Sequence, residues 1–153
     1  MRRVTMERMQ YSQEGFEMAQ AADAMQPRPV PLHVTPEARK RLTPFRERVF
    51  RELYDAAIAD GGADIMRIAE VIWWDSDVDP EWEPRLLLSL WVDGSHGDAE
   101  VVASRMDARM GSLWESLTEA ERTDRVRWIS YGASPYSMIE NSRAALENTR
   151  AAS

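Results

Sequence analysis

Hydrophobic positions along this chain change rhythm several times, and each change marks an element. Leu42, Phe45, Val49, Leu53, Ala56 and Ala57 recur every three or four positions, the period of one helix face. Thr35-Pro36 and Thr43-Pro44 are cap-then-proline starts, and Gly61-Gly62 is a stop. Proline is preorganised for a first helical turn, and glycine for the left-handed residue that follows the last one. Residues 65–74 and 85–92 are dense in β-branched, aromatic and leucine side chains and read as strands. The polar stretch 75–84 between them holds two prolines, so the pair is predicted to be an antiparallel hairpin with a long loop.

A symmetric loop places Trp74 opposite Arg85, and the register follows by counting. One face carries Ile65, Ala69, Val71 and Trp73 against Leu86, Leu88, Leu90 and Val92. It is almost wholly apolar and is predicted to be core. The opposite face carries Met66, Ile68, Glu70, Ile72 and Trp74 against Arg85, Leu87, Ser89, Trp91 and Asp93. That face is mixed but too apolar to leave in water. At ~25 cal/mol per Å², hiding a ~300 Å² patch is worth several kcal/mol. Its cover is expected to be the chain's own N-terminal segment, a second copy, or a different protein. Trp74, Trp91, Ile68, Ile72 and Leu87 are therefore the candidate partner-binding residues.

Ser95 or Asp98 opens the next helix, whose stripe is Ala99, Val102, Ala103, Met106, Met110, Leu113, Trp114 and Leu117. Thr118-Glu119-Ala120-Glu121 is a capping box that starts a further short helical turn. Residues 125–131 alternate and read as a third strand, parallel to the second if the crossover is right-handed. Residues 132–137 read as a loop, and 138–153 as a weak C-terminal helix or tail. Upstream, Met6, Met9, Gln13, Phe16 and Gln20 fall at helical spacing, but the stripe is thin and needs something to lie on. Prolines at 27, 29, 31 and 36 make an extended linker, with an edge strand allowed where Val30, Leu32 and Val34 alternate.

The predicted fold is α+β: a small mixed sheet, built from the antiparallel hairpin plus a third strand after a crossover helix. Helices lie on one face, and the order is α-β-β-α-β. This order is similar to part of a ferredoxin-like βαββαβ unit whose first strand is missing or replaced by the proline-rich segment. Residues 1–35 form an N-terminal arm and linker, 36–137 the α+β domain, and 138–153 the tail.

Composition narrows the function classes. The chain has 153 residues, one ordinary domain's length. The absence of cysteine removes disulfide scaffolds, thiolate nucleophiles and cysteine-held metals. A net charge of −7 opposes sequence-independent nucleic-acid binding and an anionic membrane surface. No stretch is long and apolar enough to span a bilayer, and residues 4–20 lack the continuous apolar core of a signal peptide. A cytoplasmic, bacterial protein is expected. The charge is uneven: residues 39–51 hold six basic side chains against one glutamate, and 64–100 hold ten acidic ones against two arginines. Such a layout is usually a solvated face and loop, yet it also steers a charged partner.

Two loops are candidates for chemistry. Asp75, Asp77 and Asp79 begin as a calcium loop does, but Pro80 stands where glycine is needed and Leu86 where a bidentate glutamate is needed. A charged hairpin loop is the plain reading. Asp93-Gly94-Ser95-His96-Gly97-Asp98 joins a strand to a helix N-terminus. His96 with Asp93 and Asp98 has the residue types for acid–base work or metal holding, against a plain turn and helix cap. No nucleophile elbow, phosphate loop or dinucleotide fingerprint occurs, and no cofactor is expected. The leading expectation is a non-enzymatic protein–protein interaction module: a small acidic subunit, inhibitor or assembly component that binds a protein partner or forms a homo-oligomer. A metal-assisted hydrolase, or another acid–base enzyme using the Asp93–His96–Asp98 loop, is the alternative.

Overall fold

The structure, a computed structural model, describes residues 3–5, 9–21, 30–75 and 81–152, with side chains described except at 21 and 145–152. In chain order the elements are α1 (Gln13–Ala21), β1 (His33–Val34), α2 (Pro36–Arg39), α3 (Pro44–Ala57), α4 (Gly62–Ile65), β2 (Met66–Trp74) and β3 (Arg85–Val92). They are followed by α5 (His96–Trp114), α6 (Glu119–Trp128), β4 (Ile129–Pro135) and α7 (Ser137–Ala152). The fold is α+β, with a mixed sheet in the order β1-β2-β3-β4. Strand order is thus sequential, and the likeness to a ferredoxin-like unit lies in the alternation of elements. Among the described residues no helix is long and apolar enough to cross a membrane.

The hairpin register is the one that counting predicts, from Trp74 opposite Arg85 to Ile68 opposite Trp91. Beyond Ile68 a bulge at Arg67 brings Met66 opposite Val92. An extra residue in one strand inverts the side-chain parity past it. Met66, expected on the mixed face, is therefore buried in the main core instead. That core lies between the sheet and helices α3 and α5. It joins Val49, Phe50, Leu53 and Ala57 to Leu86, Leu88, Leu90 and Val92 and to Val102, Met106 and Met110. Phe50 and Tyr54 widen the stripe read from sequence.

The caps explain where the helices begin. Thr43 accepts from the Arg46 amide at 3.2 Å. Ser95 and Asp98 close a reciprocal capping box on α5, as Thr118 and Glu121 do on α6. Asp60 and Gly61 turn the chain after α3 with positive φ angles of 47° and 91°. The proline-rich linker does supply an edge strand. His33 and Val34 pair parallel with Glu70 and Val71, and the Thr35 amide donates to Val71 O at 3.1 Å.

The third strand lies four residues later than predicted from sequence. α6 runs to Trp128, and β4 takes in the segment read as a loop up to Pro135. The alternation at 125–131 also fits a short helix with Arg125 and Arg127 in its last turn, where basic side chains complement the dipole. β4 is parallel to β3 as expected. Its Gly-Ala-Ser-Pro run hides the strand from propensity, but small residues are what the position demands. A Cβ on Gly132 would lie 2.6 Å from Met9 Sδ and 3.0 Å from Val4 O.

That close approach belongs to the N-terminal segment, which lies across the second face of the sheet. Met9, Phe16 and Ala19 pack with Ile68, Trp91, Tyr136 and Ile139 in a second buried cluster. Val4 and Trp82 close a third around Ile72, Trp74 and Leu87. The Val4 amide also donates to Tyr131 O at 2.8 Å, on β4. Helices thus sit on both faces: α3 and α5 on one, α1 and the start of α7 on the other.

Candidate functional site

The five side chains predicted to bind a partner are interior ones. Ile68, Ile72, Leu87, Trp74 and Trp91 are all buried, with Trp74 the most exposed at 8%. Tyr11 meets the Trp91 ring edge-on, with centroids 5.5 Å apart. The Trp91 indole donates to Ser89 Oγ at 2.9 Å, and Ser89 Oγ donates in turn to Gln10 O. Glu70, a buried carboxylate on this face, accepts from the Ser12 amide at 2.6 Å and from Ser12 Oγ at 2.5 Å. The chain's own arm therefore occupies the surface that sequence alone leaves open.

Asp93 and Asp98 each have a local partner of their own. Asp98 Oδ2 accepts from the Ser95 amide at 2.8 Å, and these cap bonds hold its carboxyl below the usual range. Asp93 pairs with Arg67 at 3.0 Å, whose guanidinium lies 4.3 Å above the Tyr136 ring. Tyr136 reaches this end of the sheet as the parallel β4 predicts, its amide donating to Val92 O at 2.8 Å. His96 is exposed on the first turn of α5. Asp75 is exposed at the end of β2, whereas Asp77 and Asp79 lie outside the described residues. Among the described residues no group of three His, Cys, Asp or Glu is placed to hold a metal ion.

Sequence reasoning missed the opposite end of the sheet. Trp73 stacks on Trp128 with centroids 6.3 Å apart, and Trp82 packs tilted against Trp74 at 4.2 Å. Each of these pairs carries arginine. Arg41 lies 4.1 Å over Trp73, Arg127 3.8 Å over Trp128, and Arg85 5.2 Å from Trp82. Arg122 similarly lies 5.2 Å from Trp114. Guanidinium planes over indole faces gain from the ring quadrupole. Arg46 is anchored by a two-point contact with Asp124 at 3.0 and 2.8 Å.

Two depressions flank Arg85. One, of about 550 Å³, is open and lined by Trp114, Val126, Arg122, Arg127, Glu83 and Glu119, among others. The other, of about 500 Å³, lies between residues 3–5 and the Trp74–Trp82 pair, against Ser130. Partial burial and the nearby charge of Arg127 push the Arg85 pKa down, and Glu83 opposes them. The signal in the sequence was the basic run at 39–51 and the spacing of tryptophans at 73, 74, 82, 114 and 128. Only the parallel crossover, which delivers α6 beside α3, brings them together.

These features define an α+β domain with an arginine–tryptophan end and a self-covered sheet. No protein-family model, no curated protein and no solved structure matches the chain.

Proposed function

We propose that this chain is a non-enzymatic protein–protein interaction module that acts as a small acidic subunit, inhibitor or assembly component. The contact surface is its arginine–tryptophan end. The observation that carries the reading is the open groove where Trp114 and the half-exposed Val126 lie among Arg85, Arg122 and Arg127. Tryptophan and arginine are the side chains most enriched where binding energy concentrates. A chain of net charge −7 with arginines gathered at one end is steered toward partners presenting acidic and apolar side chains. The proposed setting is a bacterial cytoplasm, supported by composition alone.

The test compares captured partners between the wild-type chain and two folded variants. Val126→Asp with Arg122→Glu disrupts the groove; Val101→Asp is a control at an equally exposed valine on α5. A partner held by wild type and control but lost with the groove variant supports the reading. Identical capture by all three overturns it. Light scattering on the same proteins tells a second copy from a different protein.

A further inference from the structure

We propose that the pocket between residues 3–5 and the Trp74–Trp82 pair is a binding site for a small aromatic anion, a planar ring bearing one carboxylate or phosphate. It encloses about 500 Å³, within the range of small-molecule sites. Its wall is the Trp74–Trp82 pair. The two rings are tilted at 46°, and the Trp82 indole donates to Trp74 O at 3.2 Å, which fixes its ring. Trp82 stays half-buried, so an indole surface remains for a ligand ring to stack on.

The charge in the pocket comes from Arg85. Its hydrogen bonds are long, 3.5 Å to Glu83 O and 3.4 Å to Ser130 Oγ. No carboxylate among the described residues lies within ion-pair distance of it. Arg127 is also nearby, its charge offset by Glu83 at 3.5 Å. On the other side of the pocket Arg3 is held by Glu100 and lies 3.6 Å from Asp107. Its Nη1 is buried and faces Asp107 Oδ2, so Arg3 closes that wall without supplying a free donor. Thr5 and Ser130 bring hydroxyls to the same cavity. Glu83 acts on Arg85 from a distance and pairs with Arg127 instead, and a partly dehydrated arginine with no carboxylate in contact gains from an anion that replaces its lost water. Stacking on Trp82 adds the requirement for a ring.

The experiment titrates the purified full chain, with no partner protein, by calorimetry and by two-dimensional NMR of the indole N–H groups. The probes are indole-3-acetate, adenosine monophosphate, inorganic phosphate and neutral indole. The expected result is a Kd below about 1 mM for at least one of the two aromatic anions, with phosphate and indole weaker by about tenfold or more. The Trp82 indole signal should shift and that of Trp114 should not. Which aromatic anion binds tells carboxylate from phosphate. Arg85→Gln should weaken binding at least about tenfold, while Trp82→Phe keeps most of it. No binding by either aromatic anion, equal binding of phosphate or indole, or an unchanged Kd in Arg85→Gln overturns the proposal. Should Arg85→Gln fail to fold, the probe comparison and the wild-type indole shifts decide alone. Arg85 lines the groove beside Val126 as well, so the unshifted Trp114 signal and the absence of any partner protein keep this test separate from the interaction reading.

Discussion

The carboxylate of Glu70, fully buried in the middle of β2, holds Ser12 by both its amide and its hydroxyl, at 2.6 and 2.5 Å. Ser12 in turn starts α1, its Oγ accepting from the Gly15 amide at 2.9 Å. One buried acid thus fixes both the position of the arm and the first turn of its helix. Removing one partner of a buried, charge-assisted pair costs more than the bond itself, because the other is left unsatisfied. Glu70→Ala is expected to lower stability by ~2–3 kcal/mol and to make residues 9–21 susceptible to protease. Gly15→Ala should act in the same direction, since its Cβ would lie 2.5 Å from Glu70 Oε2. Urea denaturation and timed proteolysis check both. An arm equally protected in Glu70→Ala would show that the clasp does not hold it.

Gly132 gives an independent handle on the same cover. A valine there collides with Met9 and with the backbone of Val4, so the segment has to lift. Ile72, Trp74 and Leu87 then lose part of their shield. Gly132→Val is expected to bind a hydrophobic dye and to self-associate at concentrations where wild type does not. Dye titration and light scattering measure this, and an unaltered dye response refutes it.

Tyr131 links stability to alkaline pH. Burial is the main cause raising its pKa, and the hydrogen bond to Asp107 at 2.8 Å adds to it. The native state therefore keeps this proton at pH values where the unfolded chain releases it. The stability tied to the protonated hydroxyl is fully present below the unfolded value of about 10 and is lost as pH rises toward the native one. Tyr131→Phe should be less stable by ~1 kcal/mol near neutral pH and should show a shallower decline above pH ~10. Denaturant midpoints across that range are the measurement. Parallel curves for the two proteins would remove Tyr131 from the account.

Arg125 is a buried charge without a buried counter-charge in contact. It is 1% exposed and donates to Ile129 O at 2.7 Å and toward Met110 Sδ at 3.0 Å, and its Nη2 has no hydrogen-bond partner. Burial pushes its pKa down. Buried ionic groups are frequently replaced by apolar ones of similar volume without loss. Arg125→Met is expected to stay within ~1 kcal/mol of wild type or to exceed it. A loss of several kcal/mol in thermal or urea unfolding would mean that the guanidinium is better solvated than its contacts show.

What the sequence revealed depended on whether the signal was local. The hairpin register from Trp74 to Ile68 followed from parity alone, and the capping box at Thr118 from four consecutive residues, whereas the start of α5 was narrowed only to Ser95 or Asp98. The bulge at Arg67 had no local signature; its side chain meets Asp93 and the Tyr136 ring, both outside its own strand. β4 was misplaced because Gly132 and Ala133 look like a loop until Met9 and Val4 are laid on top of them. The mixed face showed that a cover was needed but not which one, since Phe16, Met9 and Ile139 make too sparse a stripe to advertise their seat. The arginine–tryptophan end is a product of the crossover, and no window of sequence contains it.

Val4 donates to Tyr131, and Met9 and Phe16 rest among Trp91, Tyr136 and Ile139. These early residues are synthesised before the later ones exist to receive them. A nascent chain therefore carries an oily stretch whose seat, begun on β2 and β3, is completed only when β4 and the start of α7 have been added. The contact that completes the molecule is also among those joining its most distant parts, the kind of closure that slows folding and leaves intermediates open to aggregation.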